Sequence, residues 1–193
     1  MNKPRLTPTA SQTVGPFFHL GLTGPRWVGR IAGPGVGGER VWLTCRVLDG
    51  DGIPVNDALI EIWQADAQGK YHHPEDPRPE TGNAEFLGFG RQETDADGTC
   101  SFETVKPGCV PGPGKRFQAP HLNLSVFARG LLKRLTTRLY FSGDPANLDD
   151  PILALVPDER RETLLARELP ARRGAWHFNI HLCGERETVF FDV

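Results

Sequence analysis

The sequence predicts a mostly β protein, an antiparallel β-sandwich with one short surface helix and an extended N-terminal arm. Three observations favour this fold class. Short segments with alternating apolar and polar residues recur along the chain, and Asp-Gly turn signals separate several of them. Gly and Pro, at 22 and 17 of 193 residues, supply the turns that many short strands require.

Residues 1–40 lack steady periodicity and are rich in Pro and Gly, as in GPRWVGRIAGPGVGGER. We therefore interpret them as an extended arm with loops. The apolar stretch SQTVGPFFHLGL in this arm packs either on a partner chain or back onto the chain's own core, and the second is the default expectation. Residues 41–193 then form the sandwich domain.

The predicted strands begin at residue 41 with VWLTCRVLD, which the turn DGDGIP follows. ALIEIWQA is an apolar run of strand length, and TCSFETV comes after the DADG turn at 95–98. PHLNLSVFAR, LTTRLYF and WHFNIHLCG are the later strands. The inward-facing residues of the alternating strands are Val41, Leu43, Cys45, Val47, Leu122, Leu124, Val126, Phe178, Ile180 and Leu182.

One segment departs from the period of two. PDERRETLLAREL, residues 157–169, has acidic residues in its first turn and pairs Leu165 with Leu169 at helical spacing. Pro157 suits the first position of a helix, and Pro170 ends the run. This segment is predicted to form the one short surface helix.

Composition excludes several classes of function. A net charge of −2 does not suit a protein that binds nucleic acid through its charge, and no stretch approaches the length of a membrane span. The N-terminus has no continuous apolar core, so no secretory signal is predicted. The cysteines Cys45, Cys100, Cys109 and Cys183 have no CxxC spacing, which indicates free thiols in a cytoplasmic protein.

Spacing alone identifies no catalytic site. His121 and Asn123 are neighbours on one face of a predicted strand, about 7 Å apart by strand rise. An amide oxygen is a weak ligand for iron or zinc, so this pair by itself makes a poor metal site. No nucleophile-elbow, zinc-protease or nucleotide-binding motif is present.

Four blocks carry a resemblance over nearly the whole chain. EIWQADAQGKYHHPEDP, DADGTCSFETVKPG, APHLNLSVFARG and TTRLYFSGDP occur in this order and resemble the intradiol ring-cleaving dioxygenases. The resemblance implies a β-sandwich and a ferric centre held by two tyrosinates and two histidines. It also implies that a catechol bound there reacts with O2, which opens the ring between the hydroxyl-bearing carbons.

The residues at the four ligand positions depart from that pattern. The resemblance places Tyr71 and His121 at two of them, but Val110 stands where the second tyrosine is expected and Asn123 where the second histidine is expected. The only other tyrosine, Tyr140, falls at a non-ligand position. We therefore expect this chain to bind no metal of its own and regard these four positions as vestigial.

Some members of the family pair an iron-bearing β chain with a homologous α chain that has lost the metal. SQTVGPFFHLGL, SVFARG, RRETLLA and GERETVFFDV resemble the α type. The resemblance implies that the arm packs on the partner, where Thr13, Gly15 and Pro16 line its active site and Arg129 lies nearest the substrate. Simpler alternatives are a tight turn in an interface arm and a structural ion pair of Arg129.

The resulting expectation is an α subunit that acts with a homologous iron-bearing β subunit in a large hetero-oligomer. The pair would cleave 3,4-dihydroxybenzoate with O2 to 3-carboxy-cis,cis-muconate, with Fe(III) held by the β subunit. Two alternatives remain at this stage. One is a non-enzymatic transthyretin-like binding module, which shares the Asp-Gly hairpins, and the other is a self-sufficient dioxygenase with a different ligand set.

Overall fold

The computed structural model describes residues 9–15, 17–24, 28–78 and 84–192. Within these ranges the chain forms ten strands and two short α-helices, together with four short 3-10 helices. The helices are α1 (Phe18–Leu22) and α2 (Asp158–Arg161). The strands are β1 (Arg40–Leu48), β2 (Leu59–Trp63), β3 (Phe89–Glu93), β4 (Thr99–Val105), β5 (Val110–Pro111), β6 (Phe117–Gln118), β7 (His121–Phe127), β8 (Leu135–Phe141), β9 (Leu165–Glu168) and β10 (Ala175–His181).

Eight of these strands form one continuous sheet in the order β3-β2-β7-β8-β9-β10-β1-β4, and β5 pairs with β6 beside it. The mostly β class is therefore confirmed. The expectation of an antiparallel sandwich is corrected, because the eight strands form one rolled sheet in which β1 pairs with β10 and β8 with β9 in parallel. Parallel neighbours need long connections, which strand-length periodicity does not reveal.

The sheet rolls up until its two edges nearly meet. The segment at 28–32 lies between the edge strands, with Val28 bridged to Arg91 of β3 and Arg30 bridged to Glu103 of β4. This segment, which we assigned to the arm and its loops, thus nearly closes a barrel and covers edges that would otherwise be exposed. The division at residue 40 stays a prediction.

The predicted inward faces of the strands are confirmed. Every second residue of β1 from Val41 to Val47 is buried, and β7 and β10 show the same alternation. The apolar core lies inside the rolled sheet, where the rings of Phe141 and Trp176 meet edge to face at 5.0 Å. A smaller apolar cluster lies on the outer face of β8, around Tyr140 and Leu164.

The predicted helix at 157–169 is shorter than expected. It begins after Pro157 as α2, continues as a 3-10 turn over Glu162–Leu164, and then becomes β9. Leu165 pairs with Tyr140 of β8, so backbone pairing with the sheet outweighs the helical pattern of the leucines. None of the helices in the described ranges is long or apolar enough to cross a membrane.

The arm contains a helix that the sequence did not predict. Phe18 of α1 packs against Phe127 at the end of β7, with ring centroids 5.4 Å apart. Phe17 and Leu20 nevertheless remain exposed, at 78% and 65% of their surface. The arm therefore folds partly back on its own chain and presents apolar side chains outward.

Candidate functional site

Two of the vestigial positions, His121 and Asn123, lie on the outer face of the sheet, where β7 and β8 are paired. His121 stands opposite Tyr140, and Asn123 stands opposite Arg138. Because side chains alternate along a strand, the side chains of these two opposed pairs, His121 with Tyr140 and Asn123 with Arg138, all project from the same face of the sheet. The sequence had singled out His121 and Asn123, but not Arg138, whose guanidinium lies 3.4 Å from the Tyr140 hydroxyl.

His121 is a neutral, buried imidazole. It is 3% exposed, and its Nδ1 lies 2.7 Å from the carbonyl oxygen of Ala119. A carbonyl only accepts hydrogen bonds, so Nδ1 carries the proton and Nε2 presents a lone pair. Nε2 has no hydrogen-bond partner in the described part of the chain. Burial, reinforced by the charge of Arg138, lowers the pKa of His121 to about 4.

Tyr71 reaches this face from the loop after β2. Its ring stacks on Trp63, with centroids 5.9 Å apart and planes 3° from parallel. Burial raises the pKa of Tyr71, and this outweighs the hydrogen bond with Asn123 and the charge of Arg138, which lower the pKa. Tyr71 is therefore a neutral phenol. Its hydrogen-bond partner is the side-chain amide of Asn123, the residue at the position where a second histidine was expected.

The loop that carries Tyr71 is held by an ion pair. The backbone N–H of Tyr71 donates to Oδ2 of Asp76 at 2.9 Å, and Arg78 binds the same carboxylate at 2.6 Å. The hydrogen bond from Arg78 holds the pKa of Asp76 well below its usual range.

Gly69 has φ +78° and lies so close to the Cys109 carbonyl that a Cβ would come within 2.0 Å of it. Only glycine permits this approach.

Val110 occupies the remaining vestigial position on β5 and is 3% exposed. It pairs with Gln118 of β6, whose Oε1 accepts a hydrogen bond from Arg138 at 2.6 Å. Arg138 therefore links the environment of Val110 to Tyr71 and His121. The alternation of residues in TTRLYF predicts that Arg138 lies on the outer face of β8. The residues that Arg138 links there are distant in the sequence, so alternation does not identify them.

Tyr140 has a structural role. Its hydroxyl donates to Oδ1 of Asp150 at 3.2 Å, and burial raises the pKa of Tyr140 to about 12. The other oxygen of Asp150 accepts the backbone N–H of Ala119 at 2.6 Å. Asp150 thereby fixes the residue whose carbonyl orients His121, just before β7 begins.

The residues present do not fit a ferric centre. Of the four vestigial positions, only Tyr71 and His121 have side chains that ferric iron favours, and the Asn123 amide is bonded to Tyr71. The Val110 side chain is hydrocarbon, and the positive charge of Arg138, which lowers the pKa of His121, disfavours a second positive charge at that imidazole. Across the described ranges, no group of three or more His, Cys, Asp or Glu is placed to hold a metal.

The predicted substrate-binding residues lie at the other end of β7, about 20 Å from His121 by strand rise. Thr13 Oγ1 accepts the N–H of Gly130 at 2.7 Å, and Gly15 accepts the N–H of Phe18 at 3.0 Å. Arg129 forms an ion pair with Asp57, yet its side chain remains 67% exposed. The structure thus brings Thr13 next to Arg129, but neither near the vestigial positions. Pro16 lies outside the described residues.

Comparisons with known proteins show the family to which the chain belongs. A family model described as "Dioxygenase" matches residues 31–184. The chain is 42% identical over 202 residues to the protocatechuate 3,4-dioxygenase alpha chain of Burkholderia cepacia, covering 97% of this chain and 98% of that one. It is 41% identical over 132 residues to the beta chain from the same organism, covering 67% of this chain and 56% of that one.

Among solved structures, the dioxygenase domain of a dioxygenase–carbohydrate-binding protein fusion from Streptomyces sp. SirexAA-E superposes with a TM-score of 0.62. It is 28% identical, and the match covers 92% of this chain and 99% of that one. The barrel-like sheet and these matches agree on the family. The chain belongs to the intradiol dioxygenase family.

Proposed function

We propose that this chain is the α-type subunit of a two-chain enzyme that cleaves 3,4-dihydroxybenzoate with O2 to 3-carboxy-cis,cis-muconate. The observation that carries the proposal is the pair of substitutions at Val110 and Asn123. At the four positions where the resemblance expects metal donors, the sequence has Tyr71 and His121 but also Val110 and Asn123, which are not donors that ferric iron favours. The matched alpha and beta chains of one dioxygenase support the pairing. The transthyretin-like alternative is not favoured, because the dioxygenase family model matches residues 31–184.

In this proposal the Fe(III) belongs to the homologous β subunit, and the present chain contributes substrate-binding residues to that subunit's site. Arg129 is suited to this role because its guanidinium is exposed, and its fork pairs with a carboxylate or a catechol oxygen. Asp57 orients the guanidinium from one side. Thr13, Gly15 and Pro16 belong to the arm that would enter the partner's site.

Exposed apolar side chains on the outer surface support the proposal that the chain is part of a hetero-oligomer. Large apolar side chains are exposed on the arm and near β6, which is costly unless another chain covers them. They include Phe17, Leu20, Phe117, Leu148 and Leu155. Phe117 and Leu148 line one shallow depression, so a partner can cover both at once. We place the assembly in the cytoplasm because all four cysteines are free thiols.

The decisive experiment compares the chain expressed alone with the chain co-expressed with its β partner. We expect the chain alone to be colourless and inactive. The complex should hold iron, show a red-brown tyrosinate-to-iron absorption band and cleave 3,4-dihydroxybenzoate. A stoichiometric iron colour on the chain alone would refute our interpretation of Val110 and Asn123. A complex that holds iron but cleaves no catechol would refute the proposed reaction.

A further inference from the structure

Two cysteines face each other across β1 and β4 inside the rolled sheet. Cys45 is in register with Cys100, and both side chains belong to the apolar core, where they are 0% and 7% exposed. Both are free thiols, as are Cys109 and Cys183, which lie on the surface. The proposed ring cleavage uses neither member of the buried pair, so the chemistry of this pair is independent of that function.

The backbone places the two buried thiols within reach of each other. The Val47 N–H donates to the Gly98 carbonyl at 2.9 Å, which marks a hydrogen-bonded pair of opposed residues. Cys45 and Cys100 lie two positions further along the same ladder, so they form a pair of the same type, with Cα atoms about 5.5 Å apart. Disulfides span Cα separations of about 4.4–6.8 Å, so a bond between these two sulfur atoms requires no change in strand pairing.

The two thiols differ in accessibility. A hydrogen bond with the Cys100 side chain, followed by burial, raises the pKa of Cys45 well above its usual value. Cys45 is therefore a protonated thiol at neutral pH, next to a second sulfur atom. Cys100 lies two residues after Gly98, the last residue of the DADG turn, and retains a small exposed surface. A small oxidant that enters from this turn thus meets Cys100 first.

We propose that Cys45 and Cys100 form a modification site, at which hydrogen peroxide converts the two thiols into a disulfide that fastens β4 to β1. The Cys100 sulfur attacks the peroxide, the O–O bond breaks, and a sulfenic acid forms with release of one water, which carries the thiol proton. The Cys45 sulfur then attacks the Cys100 sulfur, the S–O bond breaks, and the leaving hydroxyl takes the Cys45 proton as a second water. The two thiols lose two electrons, and the peroxide gains them.

The position of β4 gives the disulfide a mechanical consequence. β4 stands at the end of the sheet order, and β1 is its only partner among the described strands. An edge strand held from one side can make the approach of about 1 Å that the two Cβ atoms need for a disulfide. The segment at 28–32 closes the barrel at Glu103 of β4, so fastening β4 also holds this closure.

The test is oxidation of the folded full-length chain with hydrogen peroxide, followed by alkylation of the remaining thiols, proteolysis without reductant and mass spectrometry. We expect one linked pair of peptides, containing Cys45 and Cys100 and lighter by two hydrogen atoms, and we expect dithiothreitol to separate them. The double variant Cys109→Ser, Cys183→Ser lacks the surface thiols and should form the same link. Oxidation of the denatured chain is the control and should give a mixture of pairings.

Hydrogen exchange measures the mechanical consequence. The amides of β4 should exchange at least about tenfold more slowly in the linked chain, because the disulfide opposes separation of the two strands. Cys45→Ala lacks the resolving thiol, so peroxide should leave a sulfenic acid on Cys100 that dimedone labels, and exchange should not slow.

The wild-type results decide the matter even where Cys45→Ala fails to fold. A buried pair that stays reduced while Cys109 and Cys183 are oxidised would overturn the proposal, as would a link from Cys45 or Cys100 to a surface cysteine. Unchanged exchange of β4 in the linked chain would refute the fastening of this strand. None of these results bears on iron content or ring cleavage.

Discussion

Thr13 and Gly130 are joined by a hydrogen bond although they lie 117 positions apart, with the Gly130 N–H donating to Thr13 Oγ1 at 2.7 Å. The bond fastens the N-terminal arm to the loop that carries Arg129. Two segments that the sequence predicted to contribute to one binding site are therefore adjacent within the chain itself. The arm is positioned by this contact and by the packing of Phe18 on Phe127.

Thr13→Ala is expected to loosen the arm without unfolding the domain. One hydrogen bond of this kind contributes about 1 kcal/mol, so the Gly130 amide should exchange with solvent about fivefold faster. Hydrogen exchange followed by mass spectrometry of residues 9–15 and 128–131 measures the effect. Ser11→Ala, an exposed neighbour in the same arm, is the control, and equal exchange in both variants would contradict the assignment.

Arg129→Ala and Asp57→Asn separate substrate contact from a structural ion pair. Where Arg129 contacts substrate, its removal from the α–β complex should leave iron and colour unchanged but lower kcat/KM about tenfold or more. Asp57→Asn keeps the guanidinium and should have a smaller effect. Steady-state kinetics on 3,4-dihydroxybenzoate provide the measurement, and unchanged kinetics for Arg129→Ala would remove it from the site.

Asp150→Ala is expected to be among the most destabilising single substitutions in this part of the fold. The fully buried carboxylate accepts three backbone N–H groups, from Ala119, Ile152 and Leu153, and the Tyr140 hydroxyl. Its removal leaves these donors unsatisfied, which costs about 3–5 kcal/mol in the free energy of unfolding.

Chemical denaturation of the variants measures this cost. Asp149→Ala provides the matched control, because Asp149 is exposed. It should change the free energy of unfolding by less than about 0.5 kcal/mol. Similar losses for the two variants would mean that the hydrogen bonds to Asp150 contribute little to stability.

The titration of His121 is expected to lower the free energy of unfolding as the pH falls. Burial first, and then the charge of Arg138, lower its folded-state pKa from 6.5 to about 4. Below pH 6.5 the unfolded chain binds a proton that the folded chain does not, so stability falls as pH drops and the loss is complete near pH 4. This group accounts for a loss of about 3 kcal/mol.

Denaturation at pH 7 and at pH 4.5 measures this dependence in wild type and in His121→Phe. The variant lacks the titrating imidazole and should lose less stability on acidification. His177→Phe replaces a half-buried histidine on β10 and should keep the wild-type dependence. An unchanged pH dependence in His121→Phe would show that another group is responsible.

The sequence by itself determined the strand faces and the residue types at the four expected ligand positions. Alternation is a local property, so Leu122, Leu124 and Val126 could be assigned to the core without knowing their neighbours. The identities of Val110 and Asn123 are likewise properties of the chain alone. They were enough to predict that the vestigial positions do not suit ferric iron.

Only the tertiary structure decided which strands pair and what surrounds the vestigial positions. The parallel partners of β8 and β10, the conversion of Leu165–Glu168 from predicted helix to strand, and the closure by 28–32 all depend on pairings between distant segments. Such pairings are fixed by register and by the burial of whole faces, which local periodicity does not encode. The same reason explains why Arg138 was not anticipated, because its role arises from Tyr71, His121 and Gln118, which the fold brings to it.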